Sequence, residues 1–148
     1  MAEIIITKGQ SIVTFNNVTA TYENSFICRV LEQAAESKIN IDMIAQSPTT
    51  DDKISFGFTF ADNDTPKLLK IVKSGDCSAL PLINSGNVKV TVKSRDMIDN
   101  TGFASKVFSV LKKLDCLALL VTTGIDEISI LIHESDCVDL EQALREVF

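Results

Sequence analysis

Among side chains able to do acid–base or nucleophilic work, the sequence offers one histidine, His133, and cysteines at 28, 77, 116 and 137. A nucleophilic Ser, Cys or Lys needs a base beside it. His133 ends the run Glu127–His133, on the opposite phase to Ile128, Ile130 and Ile132, which reads as a partly exposed strand-end residue. No glycine-rich phosphate loop, Gly-x-Ser-x-Gly elbow or His-Glu-x-x-His pair occurs, and six glycines leave little material for one. Kinase or hydrolase chemistry within these residues is therefore not expected. The acidic groups Asp51-Asp52, Asp62-Asn63-Asp64 and Glu134-Ser135-Asp136 lack the twelve-residue calcium-loop spacing with its central glycine and terminal glutamate. They read as solvated turns and helix caps. The cysteines lie at long, irregular spacings, three of them inside apolar runs, and so read as reduced, packed thiols rather than a disulfide framework or zinc site. No metal or cofactor is expected.

The elements that must position any remaining chemistry come from a chain of 148 residues, 45% apolar and 23% charged. That is enough to bury roughly 68–70% of the extended surface in one or two small domains. The net charge of −6, from 14 basic and 20 acidic residues, argues against nucleic acid as a partner, because phosphate binding needs clustered Lys and Arg. No apolar run approaches the roughly 18 residues of a membrane span, and Met1–Lys8 lacks signal-peptide features. A soluble, cytoplasmic protein is expected.

Sliding the chain against itself gives one register, an offset of 77 residues without a gap from Val13/Val90 to Gln46/Thr123. Val13/Val90, Thr14/Thr91, Phe26/Phe103 and Val30/Val107 are identical pairs, and Arg29/Lys106 keeps its charge. Each copy opens on an alternating strand, as in Val88, Val90 and Val92 against Lys89, Thr91 and Lys93. A helical stripe follows: Phe26, Val30, Leu31 and Ala34 in the first copy, Ala104, Val107, Phe108, Leu111 and Leu114 in the second. Next come a strand at 39–44 or 116–121, a polar turn at 47–52 or 122–126, and a second strand. In the first copy that strand sets Ile54, Phe56, Phe58 and Phe60 on one face. A closing helix begins at Thr65-Pro66, read as a hydroxyl cap followed by a first-turn proline, or at a Ser135 or Asp136 cap ahead of Leu140, Ala143, Leu144 and Val147.

A strand–helix–strand–strand–helix unit leaves one sheet position uncovered. The first copy can fill it from Ala79–Ile83. The second has no strand after its closing helix, and Glu3–Thr7 has no other evident partner. The expected organisation is α+β, with two βαββαβ domains, one of residues 10–84 inserted into another of residues 1–9 plus 85–148.

In such a unit the turn before the first helix ends at free backbone N–H groups and a helix dipole that favour a carboxylate. These turns are Thr21–Phe26 and Ile98–Phe103, where Gly102 admits close backbone approach. That Asn24, Ser25, Asn100 and Thr101 serve as helix caps is an equal alternative.

The residues resemble a known family. Ile39-Asn-Ile-Asp-Met-Ile-Ala-Gln-Ser47 followed by Asp52-Lys-Ile-Ser-Phe56 resembles the "INVDMIVQN … DISFTV" signature of the first ACT domain in the regulatory part of aspartate kinases. Gly102–Phe108 resembles the family's "PGVAAKMF", Thr122–Ile132 its "STSEIKISVLV" and Gln142–Phe148 its "RALHEAF". The resemblance implies ferredoxin-like ACT domains in tandem, the first inserted into the second, here as a stand-alone chain without the family's kinase domain. It also implies a homodimer that binds lysine or threonine at domain interfaces.

Carried over by position, Gln46 matches the effector-contacting glutamine, and Asn40 and Ile41 match strand positions offering backbone contacts. Ser25 stands in place of the loop glycine, and Ile27 at its alanine. In the second copy Gly102 and Ala104 keep glycine and alanine, while Leu117 and Ala118 replace Asn-Ile. The first loop lacks the family's "PDKPG", with Glu23 in reach of its aspartate's role and Asn24 beside it; Ile125 stands where the family has a glutamate. The function expected is non-catalytic: an amino-acid-sensing regulatory module, its effector lysine- or threonine-like, acting on a separately encoded enzyme. The alternative is an ACT-type dimerisation scaffold that has lost its pocket.

Overall fold

A computed structural model describes residues 2–21, 25–74 and 80–148. The strands are β1 (Glu3–Thr19), β2 (Ile44–Gln46), β3 (Lys53–Ala61), β4 (Pro81–Lys93), β5 (Leu120–Thr123) and β6 (Glu127–His133). The helices are α1 (Phe26–Glu36), α2 (Thr65–Ser74), the single turn α3 (Asp96–Asp99), α4 (Phe103–Leu114) and α5 (Cys137–Val147). The chain divides into two compact units, Gln10–Ser85 and Met1–Gly9 with Gly86–Phe148. The hydrogen-bonded strand order is β2-β3-β1-β4-β6-β5. The α+β class and the βαββαβ-like order read from the sequence are what the structure shows. No helix among the described residues is long and apolar enough to cross a membrane.

In Gln10–Ser85 the sheet runs β2-β3-β1-β4. The β1–β3 ladder extends from Gln10↔Ala61 to Thr19↔Lys53, interrupted between Phe15 and Val18, where Asn17 takes φ 56°. That extra residue is a bulge, which lets Val18 return to the buried face. Ile54, Phe56, Phe58 and Phe60 lie in one core with Val13 and Phe15 of β1, Ile27, Val30 and Ala34 of α1, and Leu68, Ile71 and Val72 of α2. Ring contacts run through this core at 6.3 Å for Phe15–Phe56, 5.9 Å for Phe56–Phe58 and 6.1 Å for Phe58–Phe60. Each such side chain contributes roughly 1.5–3 kcal/mol by leaving water. Ser11, fully buried on β1, donates to the Asp62 carboxylate at 2.6 Å and lies 2.8 Å from Ser85 Oγ, joining β1, β4 and the turn before α2.

Three local details differ from the sequence reading. The ladder strand at 39–44 is shorter and later, β2 at Ile44–Gln46; residues 39–43 run beside β3 through Asp42 N to Thr59 O and Met43 N to Thr59 Oγ1. Here the Thr59 side chain takes a donor that a regular ladder would use. Thr65 does not cap α2: its hydroxyl donates to Asp62 O, closing the 3₁₀ turn Asp62–Asp64. The 3₁₀ turn Glu134–Asp136 likewise leads into α5, and Asp136 makes no side-chain capping bond. The turn between β2 and β3 is built on Asp51 and Asp52, both at positive φ (51° and 60°), with Thr50 and Lys53 exchanging backbone bonds. This is the primed turn whose twist matches a hairpin.

The other unit has the order β1-β4-β6-β5. Val88, Val90 and Val92 of β4 and Ile128, Ile130 and Ile132 of β6 pack with Val107, Val110 and Leu111 of α4, Leu140 and Leu144 of α5, and Ile4 of β1. The α4 stripe is rotated from the expected one. Val110 is buried, whereas Ala104 and Phe108 are exposed, Phe108 by 48%. Both spacings fit one helix face, and the facing sheet selects between them.

The repeat is visible in the way α1 and α4 end. Ile39 N bonds Ala34 O and Lys38 N bonds Ala35 O; Cys116 N bonds Leu111 O and Asp115 N bonds Lys112 O. Lys38 and Asp115 take the left-handed conformation at φ 57° and 51°. These are two copies of one Schellman cap, in each case without the usual glycine.

Ile4→Ala should lower unfolding free energy by about 2–5 kcal/mol. Native-state hydrogen exchange should show the loss of protection concentrated in residues 86–148, and uniform loss across residues 10–85 would contradict the packing of Ile4.

Candidate functional site

In Gln10–Ser85 the register assembles a row across the sheet. Gln46 of β2 stands opposite Phe56 of β3, and Phe56 opposite Phe15 of β1. Directly opposed residues share a face, so the Gln46 side chain projects on the face that the Phe15 and Phe56 rings occupy. Phe26, the first residue of α1, sets its ring edge-on to Phe15 with centroids 5.0 Å apart. The first turn of α1 is thereby held over the row that carries Gln46. Ser25 caps that turn by accepting from Cys28 N at 3.3 Å and is itself buried.

The sequence candidates separate into distinct places. Ser25 and Gln46 are brought to the same end of the unit. Asn40 and Ile41 follow the far end of α1, about 16 Å along its axis; the extended chain from 41 to 46 covers about the same distance back. Asn40 is exposed and Ile41 packs partly against the core. Ile27 is a buried core residue whose side chain faces the sheet. Glu23 and Asn24 lie outside the described residues, as does Tyr22.

In the other unit Gly102 precedes α4 at φ 95°, exposed, with nothing within 4 Å of the position a Cβ would take. The N-terminus of α4 therefore has no side-chain cap and stays open on that side. The Asn100 amide donates to Asp96 O at 3.1 Å, closing α3. Ala104 is exposed on α4, with Lys106 reaching over the stacked rings of Phe103 and Phe148. Leu117, 67% exposed, and Ala118 follow the other end of α4, beside Phe108 along an open groove of about 420 Å³. Gly102 and Leu117 thus stand about a helix length, roughly 18 Å, apart.

Thr123 was missed as a site candidate. It stands opposite Ile128, which stands opposite Val92, in a row that repeats Gln46–Phe56–Phe15. The 77-residue register already paired Gln46 with Thr123, and that was the signal available. Both β2 and β5 end the strand order, so each row finishes at an unpaired edge; Ile44, two residues before Gln46, is 47% exposed there.

The thiols are not alike. Cys28 is exposed on α1, contrary to the packed reading, while Cys116 and Cys137 are buried free thiols. Cys77 lies outside the described residues. Burial, and then the Asp136 carboxylate beside it, pushes the Cys116 thiol up from 9.0 to about 11; burial raises Cys137 as well. Neither is poised as a nucleophile at neutral pH. Among the described residues no group of His, Cys, Asp and Glu side chains is placed to hold a metal ion.

No known family profile matches the sequence. An aspartokinase of Geobacillus stearothermophilus is 28% identical over 122 residues, covering 82% of this chain and 30% of that enzyme. The regulatory subunit of aspartate kinase from Thermus thermophilus, in its ligand-free form, superposes with a TM-score of 0.87 at 14% identity, over 98% of this chain and 96% of that one. E. coli aspartokinase III in complex with lysine and aspartate superposes at 0.72 with 17% identity, over 98% of this chain and 32% of the enzyme. The chain has the fold of the regulatory ACT region of aspartate kinase. It resembles that region in sequence as well, spanning about 30% of the length of the aspartokinase it matches; the likeness is to the regulatory part and not to the catalytic one.

Two outcomes test the site's local chemistry. Gly102→Ala should cost about 1–2 kcal/mol in urea unfolding, the expense of a side chain in left-handed backbone, because no neighbour clashes. The Cys116 thiol favours its protonated form in the folded state, so its contribution is intact below pH 9 and is lost as pH rises toward about 11. The urea midpoint should fall over that window, and Cys116→Ala should flatten the fall.

Proposed function

We propose that this chain is the amino-acid-sensing regulatory module of an aspartate-kinase-type enzyme. Its two units are read as ACT domains, residues 10–84 inserted into the domain of residues 1–9 plus 85–148. The packing of Ile4 among Val88, Val107 and Leu144 supports that reading. The effector is a small amino acid, lysine- or threonine-like, held at ACT-domain interfaces in a homodimer. The regulated catalytic part is carried on a separately encoded chain in the cytoplasm, a compartment that suits the buried free thiols Cys116 and Cys137. The effector contacts proposed are Glu23, Asn24, Ser25, Ile27, Asn40, Ile41 and Gln46 in the first domain, and Asn100, Gly102, Ala104, Leu117 and Ala118 in the second, with Thr123 added.

One observation carries the reading: Gln46, an exposed polar side chain at an unpaired sheet edge, lies on the face and at the end where α1 begins. Amide and backbone groups there suit a zwitterion, whose carboxylate a helix N-terminus favours. The open glycine turn before α4 repeats the arrangement without a capping side chain. The solved E. coli enzyme that this fold matches was obtained with lysine and aspartate, which directs the choice of ligands to test.

Two features favour the dimerisation scaffold as the second reading. The Ser25 hydroxyl is committed to its own helix, and the place of the family's asparagine holds the exposed Leu117. A thermal-shift and calorimetry panel of amino acids separates the two. A ligand at about 100 times its Kd adds roughly 2.7 kcal/mol, which raises the melting temperature by several degrees. Gln46→Ala should abolish the shift while changing unliganded stability by no more than about 0.5 kcal/mol, as for an exposed side chain. No shift with any amino acid would leave the scaffold reading standing.

A further inference from the structure

The relation that superposes the two units also superposes two grooves on their helix faces. In Gln10–Ser85 an open groove of about 490 Å³ lies between the end of α1 and α2, with Glu36, Lys67 and Lys70 along it. In the other unit a groove of about 240 Å³ lies between the end of α4 and α5, with Lys113, Asp139 and Glu146 along it. The offset of 77 residues that aligns α1 with α4 pairs Glu36 with Lys113. Ladder equivalence of Phe56 and Ile128, opposite Phe15 and Val92, sets the offset of α2 and α5 at 72 and pairs Lys67 with Asp139. At both matched positions the charge is reversed. Beyond them, Lys70 adds a cation to the first groove and Glu146 an anion to the second. All six side chains are exposed, and the ion pair that Lys67 makes with Asp64 at 3.4 Å leaves half of the lysine side chain in water.

Two equivalent surfaces of opposite net charge on one chain, with the sign reversed at each matched position, are electrostatically complementary to each other. Laid face to face with each helix over its repeat counterpart, the helices run antiparallel, so Glu36 faces Lys113 and Lys67 faces Asp139 at the crossing, while Lys70 and Glu146 add to the opposite net charges of the two grooves on either side of it. We propose that these grooves are the two halves of a contact between copies of this chain, the α1/α2 face of one copy on the α4/α5 face of another. Matching charges fix partner and register more than they add affinity, and exposed pairs are individually weak and screened by salt. The contact is therefore a weak, salt-sensitive one. It uses neither Gln46 nor the edges of β2 and β5, so it is separate from the effector site proposed above.

Sedimentation velocity on the full chain tests it, at about 0.01 M and 1 M salt, where the screening length falls from roughly 30 to 3 Å. Association through this contact should weaken at least about tenfold at high salt, the combined effect of several exposed pairs. Lys67→Glu with Lys70→Glu makes both grooves acidic; Asp139→Lys with Glu146→Lys makes both basic. Each double variant alone should lose the low-salt association. A mixture of the two should regain it, because an acidic groove then meets a basic one, and this recovery also shows that both variants are folded. Absence of salt-dependent association in the unmodified chain, self-association of either variant at the unmodified strength, or a mixture no tighter than its components would each overturn the proposal.

Discussion

The removal of one sheet face from water is the constraint on which everything else in each unit depends. In Gln10–Ser85 that face is a ladder of aromatic and branched side chains, Val13, Phe15, Phe56, Phe58 and Phe60, and α1 and α2 cover it. In the other unit valines and isoleucines of β4 and β6 do the same work under α4 and α5. Strands cannot bury such a face alone, and an amphipathic helix needs a surface to lie on. Once the face is covered, little freedom is left in where each helix begins, and the candidate site is defined by those beginnings.

The same constraint explains why the two units differ in chemistry while sharing a frame. The core must be kept apolar, so change is free to accumulate at helix ends, sheet edges and outer helix faces. The cap before α1 is a serine hydroxyl, and before α4 it is an open glycine. At the edge, Gln46 is answered by Thr123, and beyond the first helix Asn40 is answered by Leu117. On the outer faces the signs of charge are exchanged. A duplicated fold supplies two equivalent positions for each feature, and here the equivalents are chemically distinct.

Much of the fold could be read from periodicity. Alternation at Ile54–Phe60 and Val88–Val92, the 77-residue register and the helical stripes were enough for the α+β class and the element order. The readings that failed were those that depend on a neighbour far away in sequence. The α4 stripe admits either Phe108 or Val110 as an inward residue, and only the opposing β4 and β6 decide. Residues 39–43 have strand composition but leave the ladder because Thr59 Oγ1 takes the Met43 N–H. Thr65 has the residue type of a cap, yet its hydroxyl serves the turn before it. Each is a competition between local propensity and a tertiary partner that composition does not disclose.

At the candidate site the division is similar. Residue types marked Gln46, Ser25 and Gly102 from sequence, since an unusual polar strand residue, a cap and a glycine before a helix are legible one by one. Their relation to one another is a matter of register and helix rotation: Gln46 opposite Phe56, Phe56 opposite Phe15, and Phe26 edge-on to Phe15. Sequence alone therefore determined that each strand and helix must bury one face and where helices start and stop to within a turn, because those follow from local periodicity. Tertiary structure decided which exposed side chains share an end, that Cys28 is open while Cys116 is closed, and that two grooves carry opposite charge, because each of these depends on contacts that close only when distant segments are packed.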